Sequence, residues 1–172
     1  MNKEKAIFFS IKKLHLDHNL NVAFFNFEWV GVIMYRVSYV SSSVSDKEQL
    51  LEDLRNILTE ARDFNVFHHI TGVLYFADGT FFQCLEGPIE SIEILINKLN
   101  NDSRHRDMKL FETHKLHDRL FGDWSMKYVR KNSIIQKFLQ NSGFSNFNPR
   151  NFSQQQVDKL VQVLSMTEDC KV

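Results

Sequence analysis

The feature that most constrains this chain is Asp78-Gly79, set between two apolar runs, Ile70–Ala77 and Thr80–Glu86. The type I′ form of a two-residue hairpin turn needs positive φ at both central positions, and Asp followed by Gly tolerates that better than almost any other pair. Two antiparallel strands are therefore expected in the middle of the chain. A lone hairpin is at best marginally stable in water, so the rest of the sequence must supply neighbours for both of its faces.

Those neighbours can be read on either side. Met34–Val40 alternates and is rich in Tyr and Val, which predicts a first strand. Ser45 and Glu48 have capping-box spacing, and Leu51, Leu54, Leu58 and Ala61 follow at helical spacing, so a helix is expected to end near Asn65. Gly87-Pro88 closes the third strand and opens a second helix, with Ile89, Ile92, Leu95, Ile96 and Leu99 apolar. Met108–Lys115 reads as a fourth strand and Trp124–Tyr128 as a short fifth. The order β-α-β-β-α-β-β predicts an α+β fold, a ferredoxin-like sheet with two helices on one face. Ser133–Leu139 reads as helical. A second capping box, Ser153 with Gln156, precedes Val157, Leu160, Val161 and Leu164 at helical spacing, and these C-terminal helices are the expected cover for the other face.

Three segments result: an N-terminal extension over 1–33, a core domain over 34–130 and a C-terminal helical cap over 131–172. The extension has no sustained period. It reads either as a short helix lying on the domain or as sequence upstream of a native start at Met34.

Side chains alternate faces along a strand. Tyr35, Val37 and Tyr39 share one face of the first strand, and Phe81, Gln83 and Leu85 share one of the third. Trp124, Met126 and Tyr128 share one of the fifth. If these faces meet the two helices, Tyr39 and Gln83 are polar groups in an apolar layer and need partners. They can bond each other, water, or a ligand held between helices and sheet. Phe82 and Cys84 point the other way, toward the C-terminal helices.

Composition narrows the function. The chain has 172 residues and a formal net charge of zero, against the basic excess usual in a nucleic-acid binder. Cys84 and Cys170 make no disulfide framework, the apolar run Ala6–Phe9 is too short for a signal peptide, and no stretch could span a bilayer. A cytoplasmic protein with no membrane association and no direct nucleic-acid binding is expected. The pairs His68-His69, His114 with His117 and His15 with His18 lack metal-ligand company, so no metal is expected. There is no G-x-S-x-G, Walker A or G-x-G-x-x-G sequence, and no catalytic residue is assigned.

In register, the segments Met34-Tyr35-Arg36-Val37-Ser38-Tyr39, Asn65 with Ile70-Thr71-Gly72, Phe82-Gln83-Cys84-Leu85-Glu86-Gly87, Asp102-Ser103-Arg104-His105 and Trp124-Ser125-Met126 resemble BLUF domains, sensors of blue light using flavin. The likeness covers residues 34–128, and the C-terminal tail resembles that of short, stand-alone bacterial members. The resemblance implies a photoreceptor without enzymatic activity, with FAD between the two helices. It implies Tyr39 as the photoactive tyrosine and Gln83 as the switching glutamine, with Asn65 on the ring's polar edge. Ile57 and Leu99 would pack on the ring faces, with Arg55, Arg104 and His105 along the cofactor's tail and Asp102 also among the cofactor-binding residues. Light would move an electron and a proton from Tyr39, relayed through Gln83, and Trp124 and Met126 would pass the change to the C-terminal helices. Phe64 departs from the more polar residue common beside the Asn. The implied partner is an unidentified downstream protein, with a transcriptional regulator among the candidates. The oligomeric state stays open. The rival readings are a ferredoxin-like RNA- or protein-binding module without flavin and an acylphosphatase-like hydrolase. The third strand lacks the basic, Gly-rich aromatic pattern of the first rival, and the loop Val40–Ser45 lacks the Gly or Arg of the second.

Overall fold

The structure, a computed structural model, describes residues 33–46 and 48–170. The readings of the N-terminal extension, Ile33 apart, lie outside the described residues. From Ile33 onward the chain forms one compact unit.

The hairpin is present. Strand β2 (Thr71–Ala77) pairs antiparallel with β3 (Thr80–Pro88) across Asp78 and Gly79, whose φ angles are 50° and 73°. Both central residues thus take the positive φ that the turn requires. Gly72 is required by close approach: a Cβ there would lie 2.3 Å from the Cys84 carbonyl oxygen. Strand β1 (Met34–Ser43) pairs with the free edge of β3, placing Tyr39 directly opposite Gln83.

The expected fourth strand over 108–115 divides into two. Strands β4 (His105–Leu110) and β5 (His114–Leu116) both lie antiparallel on β1. The predicted fifth strand, 124–128, becomes β6 (Lys127–Val129), parallel to β2. The sheet thus has six strands in the order β4-β1-β3-β2-β6, with β5 also on β1. That is a ferredoxin-like core with one added edge strand.

Helices α1 (Leu50–Phe67) and α2 (Ile89–Asn100) cover one face, burying Leu54, Leu58, Ile92, Leu95 and Ile96 against Val37, Leu74, Leu85 and Tyr128. The Ser45–Glu48 capping box does not form. The Asp46 carboxylate instead accepts from the N–H groups of Glu48 and Gln49, and Ser45 Oγ donates to Asp53. A carboxylate one residue further on reaches the first free amides directly, which leaves the serine to the side-chain pair.

Helices α3 (Ser133–Asn141) and α4 (Gln154–Met166) cover the other face. The Ser153–Gln156 capping box opens α4 as expected. Phe82, Phe121 and Phe147 are almost wholly buried in this layer. Each contributes about 1.5–3 kcal/mol that a wet sheet face would forfeit. The hairpin tip is tied to the same layer, because Asp78 accepts from the Phe147 N–H and from Lys131.

Parity holds for β1 and β3 and fails before β6. Trp124 packs with the α3/α4 layer, whereas Met126 and Tyr128 belong to the α1/α2 layer. Residues 124–126 precede the strand, so strict alternation does not carry through them. Lys127 and Val129 face the α3/α4 layer, and the Lys127 ammonium lies 4.3 Å from the centre of the Trp124 ring. Among the described residues no helix is long and apolar enough to cross a membrane, and no cluster of His, Cys, Asp or Glu could hold a metal ion.

Candidate functional site

A slot opens between α1 and α2 over β1 and β3. Helical spacing builds its walls: Ile57, Glu60, Ala61 and Phe64 recur on one face of α1, and Leu95, Lys98 and Leu99 on one face of α2. The floor comes from the sheet, with Tyr39 and Ser41 from β1, Leu74 from β2, and Phe81 and Gln83 from β3. Asp102, Arg104 and His105 follow α2 and complete the lining. The interior is mostly apolar, with a few polar groups at fixed places, as in pockets that hold a flat organic ligand.

The Tyr39 hydroxyl donates to Gln83 Oε1 over 2.5 Å, and Gln83 Nε2 donates to Met126 Sδ over 3.4 Å. Tyr39, Gln83 and Met126 are all buried, so one polar chain runs from β1 through β3 to the residue before β6. Burial, reinforced by the nearby Asp102 charge, raises the Tyr39 phenol far above its ordinary value and keeps it protonated. Burial also holds the His105 imidazole below its ordinary value, so the ring is neutral at neutral pH. At Asp102 burial works upward, but hydrogen bonds from the Arg104 side chain and backbone together outweigh it and leave the carboxyl below its usual range.

Seven of the residues singled out from sequence line the slot: Tyr39, Ile57, Gln83, Leu99, Asp102, Arg104 and His105. Asn65 is wholly buried at the end of α1, where its Nδ2 donates to the Ser125 carbonyl over 2.6 Å. Met126 reaches the site through Gln83. Arg55 does not join it: it is exposed on α1 and absent from the lining. Trp124 lies on the opposite face of the sheet. Glu60, Lys98 and Ser41 line the slot without having been singled out. The i, i+3 relation of Glu60 to Ile57 was available as a signal, but a glutamate on a helix reads first as a solvated position.

Unpartnered polar atoms test whether a flavin suits the slot. Ser41 Oγ and both ring nitrogens of His105 are buried without a hydrogen-bond partner, as is Asn65 Oδ1. Ser41 and His105 belong to the lining. Buried polar atoms of this kind call for a polar ligand or ordered water. A flat ring system with donors and acceptors along its edge meets them, while Ile57, Ala61, Leu95 and Leu99 offer apolar surface to its faces. The residues fit the group.

Comparison with known proteins points the same way. The family described as sensors of blue light using FAD (BLUF) matches residues 34–127. The chain is 44% identical to BlsA in its photo-activated state, with a TM-score of 0.78 over 81% of this chain and 99% of that one. For the BlsA ground state the identity is again 44%, with a TM-score of 0.77 over 80% and 91%. It is also 30% identical over 103 residues to photoactivated adenylate cyclase subunit beta of Euglena gracilis, covering 58% of this chain but 12% of that protein. The chain therefore spans about an eighth of the curated relative's length. A slot floored by a hydrogen-bonded tyrosine and glutamine, inside the segment 34–127 that the family matches, leads to one assignment: the chain belongs to the BLUF family.

Proposed function

We propose that this protein is a blue-light receptor that binds FAD in the slot between α1 and α2 and signals by contact with another protein, catalysing no reaction of its own. The observation that carries the reading is the 2.5 Å hydrogen bond from Tyr39 to Gln83 on the floor of an otherwise apolar slot.

A bound flavin supplies absorption of blue light and, once excited, an acceptor for one electron. Tyr39 is the donor. Its hydroxyl proton already points at Gln83 Oε1, so an electron lost from the phenol is followed by that proton along an existing bond, and both return to Tyr39 once the amide has reset, with no net oxidation of the chain. Gln83 carries an acceptor and a donor on one rotatable amide. Turning or tautomerising the amide changes what it offers Tyr39 and the ligand, and turning it also withdraws Nε2 from Met126 Sδ. Ile57, Ala61, Leu95 and Leu99 hold the ring system flat and exclude water. Asn65 Oδ1 and neutral His105 supply polar contacts at its edge, and Asp102 and Arg104 stand toward the tail. The two settings of the Gln83 amide form the two-state element that light biases, and Met126 couples it to β6. The downstream partner is a protein that reads the surface around β6, α3 and α4, a regulator of transcription being one such class.

An absorption spectrum of the purified protein, before and after blue light, tests this. A flavin spectrum that shifts reversibly to the red supports the reading. A colourless protein that fails to take up added FAD sinks it.

A further inference from the structure

We infer that Glu60 determines which flavin the slot prefers: by occupying the Arg104 guanidinium it disfavours flavins that carry phosphate relative to riboflavin. The inference rests on the flavin reading above and goes beyond it.

Arg104 commits four of its five guanidinium N–H donors to two carboxylates. Its Nη1 and Nη2 donate to the two carboxylate oxygens of Glu60 over 3.0 and 2.9 Å. Its Nε donates to Asp102 Oδ1 over 2.9 Å, and Nη2 also donates to Asp102 Oδ2 over 2.7 Å. One guanidinium thus serves two carboxylates, and the cluster carries a net negative charge. Glu60 belongs to α1 and Arg104 follows α2, so the pair ties the two sides of the slot together.

The two carboxylates are not equivalent. Asp102 is 15% exposed, lies two residues from Arg104 and also accepts from the Arg104 backbone N–H, which makes it a fixed support. Glu60 is 49% exposed and holds Arg104 only through side chains, which makes it displaceable. A phosphate presents the same pair of acceptor oxygens to a guanidinium fork as a carboxylate does. A phosphate at this end of the slot therefore competes with Glu60 for Nη1 and Nη2, and meets its negative charge while doing so. Riboflavin has no phosphate and meets neither obstacle.

Glu60→Gln removes the charge and one of the two acceptors while keeping the side-chain volume. The test titrates riboflavin, FMN and FAD separately into the full chain freed of flavin, followed by calorimetry, for wild type and Glu60→Gln. Affinity for FMN and FAD is expected to rise roughly two- to fivefold, the factor of a part-exposed ion pair, with riboflavin unchanged. In an Arg104→Gln background the gain for FMN and FAD should shrink, because the competition for the guanidinium is gone and only the removal of the Glu60 charge remains. Riboflavin binding with ratios that Glu60→Gln does not move overturns the inference and leaves the flavin reading standing. Failure of all three flavins to bind wild type overturns both.

Discussion

Tyr39 and Gln83 face each other across β1 and β3, and the tyrosine hydroxyl donates to the glutamine carbonyl over 2.5 Å. The pairing is a cross-strand register contact, so the same backbone hydrogen bonds that build the sheet hold donor and acceptor in place. Tyr39→Phe keeps the ring and removes the donor. It leaves a buried acceptor unpaired, at a cost of about 1–3 kcal/mol. The variant is expected to keep its bound flavin and lose the reversible red shift. A light-minus-dark spectrum and a urea titration measure the two effects separately.

Met126 holds the other end of the glutamine. Met126→Leu conserves volume, which cores tolerate at a cost of under about 1.5 kcal/mol, but it removes the sulfur that accepts from Gln83 Nε2. That hydrogen bond supports the amide setting seen here. Without it the alternative setting is relatively more stable, so recovery in darkness should slow by a few-fold while the size of the spectral shift is kept. Time-resolved absorbance after a light pulse checks this, and faster recovery would count against the role given to Met126.

Much of the site was legible because it depends on periodicity. Alternation along β1 and β3, with the Asp78-Gly79 turn fixing their neighbour, is enough to put Tyr39 and Gln83 in one layer. Helical spacing puts Ile57 and Leu99 above them. What escaped depends on irregular backbone or on long side chains. Trp124 appeared to share a face with Met126 because alternation was carried three residues beyond the true start of β6. The gap between β4 and β5 lies over 111–113, where no proline or glycine marks it. Arg55 matched a basic position by order along the chain, yet the helix turns it outward. The fork between Glu60 and Arg104 spans 44 residues and has no local pattern.

Alkaline pH should destabilise the protein. Burial pushes the Cys84 thiol up to about 12 from an ordinary 9.0. Burial likewise raises the phenols of Tyr39 and Tyr75. The folded chain therefore keeps protons that the unfolded chain releases. The stability these groups provide is complete below pH 9 and is lost as pH rises toward their folded values. Cys84 alone accounts for about 1.4 kcal/mol per pH unit over its window. Lys127 acts in the opposite sense, since burial lowers its ammonium from 10.5, but it is one group against four, because burial raises the Tyr128 phenol as well. The urea midpoint should fall between pH 9 and 11, and Cys84→Ala should flatten the fall between 9 and 10.

The segment after α4 is fastened to the open edge of β6. The Tyr128 N–H donates to Asp169 Oδ1 over 2.8 Å, and the Cys170 N–H donates to the Tyr128 carbonyl over 2.8 Å. Lys127 Nζ donates to the Ser165 carbonyl near the end of α4 over 3.1 Å. On the proposed role of Met126, its displacement would reach α4 and the tail through Lys127 and Tyr128. Asp169→Ala removes the charged acceptor and leaves the Tyr128 amide to find water, at about 1–3 kcal/mol. Flavin content and the red shift should be unchanged, because Asp169 lies outside the slot. Amide hydrogen exchange at Tyr128 and Cys170 should speed up in the dark, and the light-induced difference in exchange along α4 should shrink. If that difference persists at full size while the tail amides exchange freely, the signal travels by the Lys127–Ser165 contact and not by the tail.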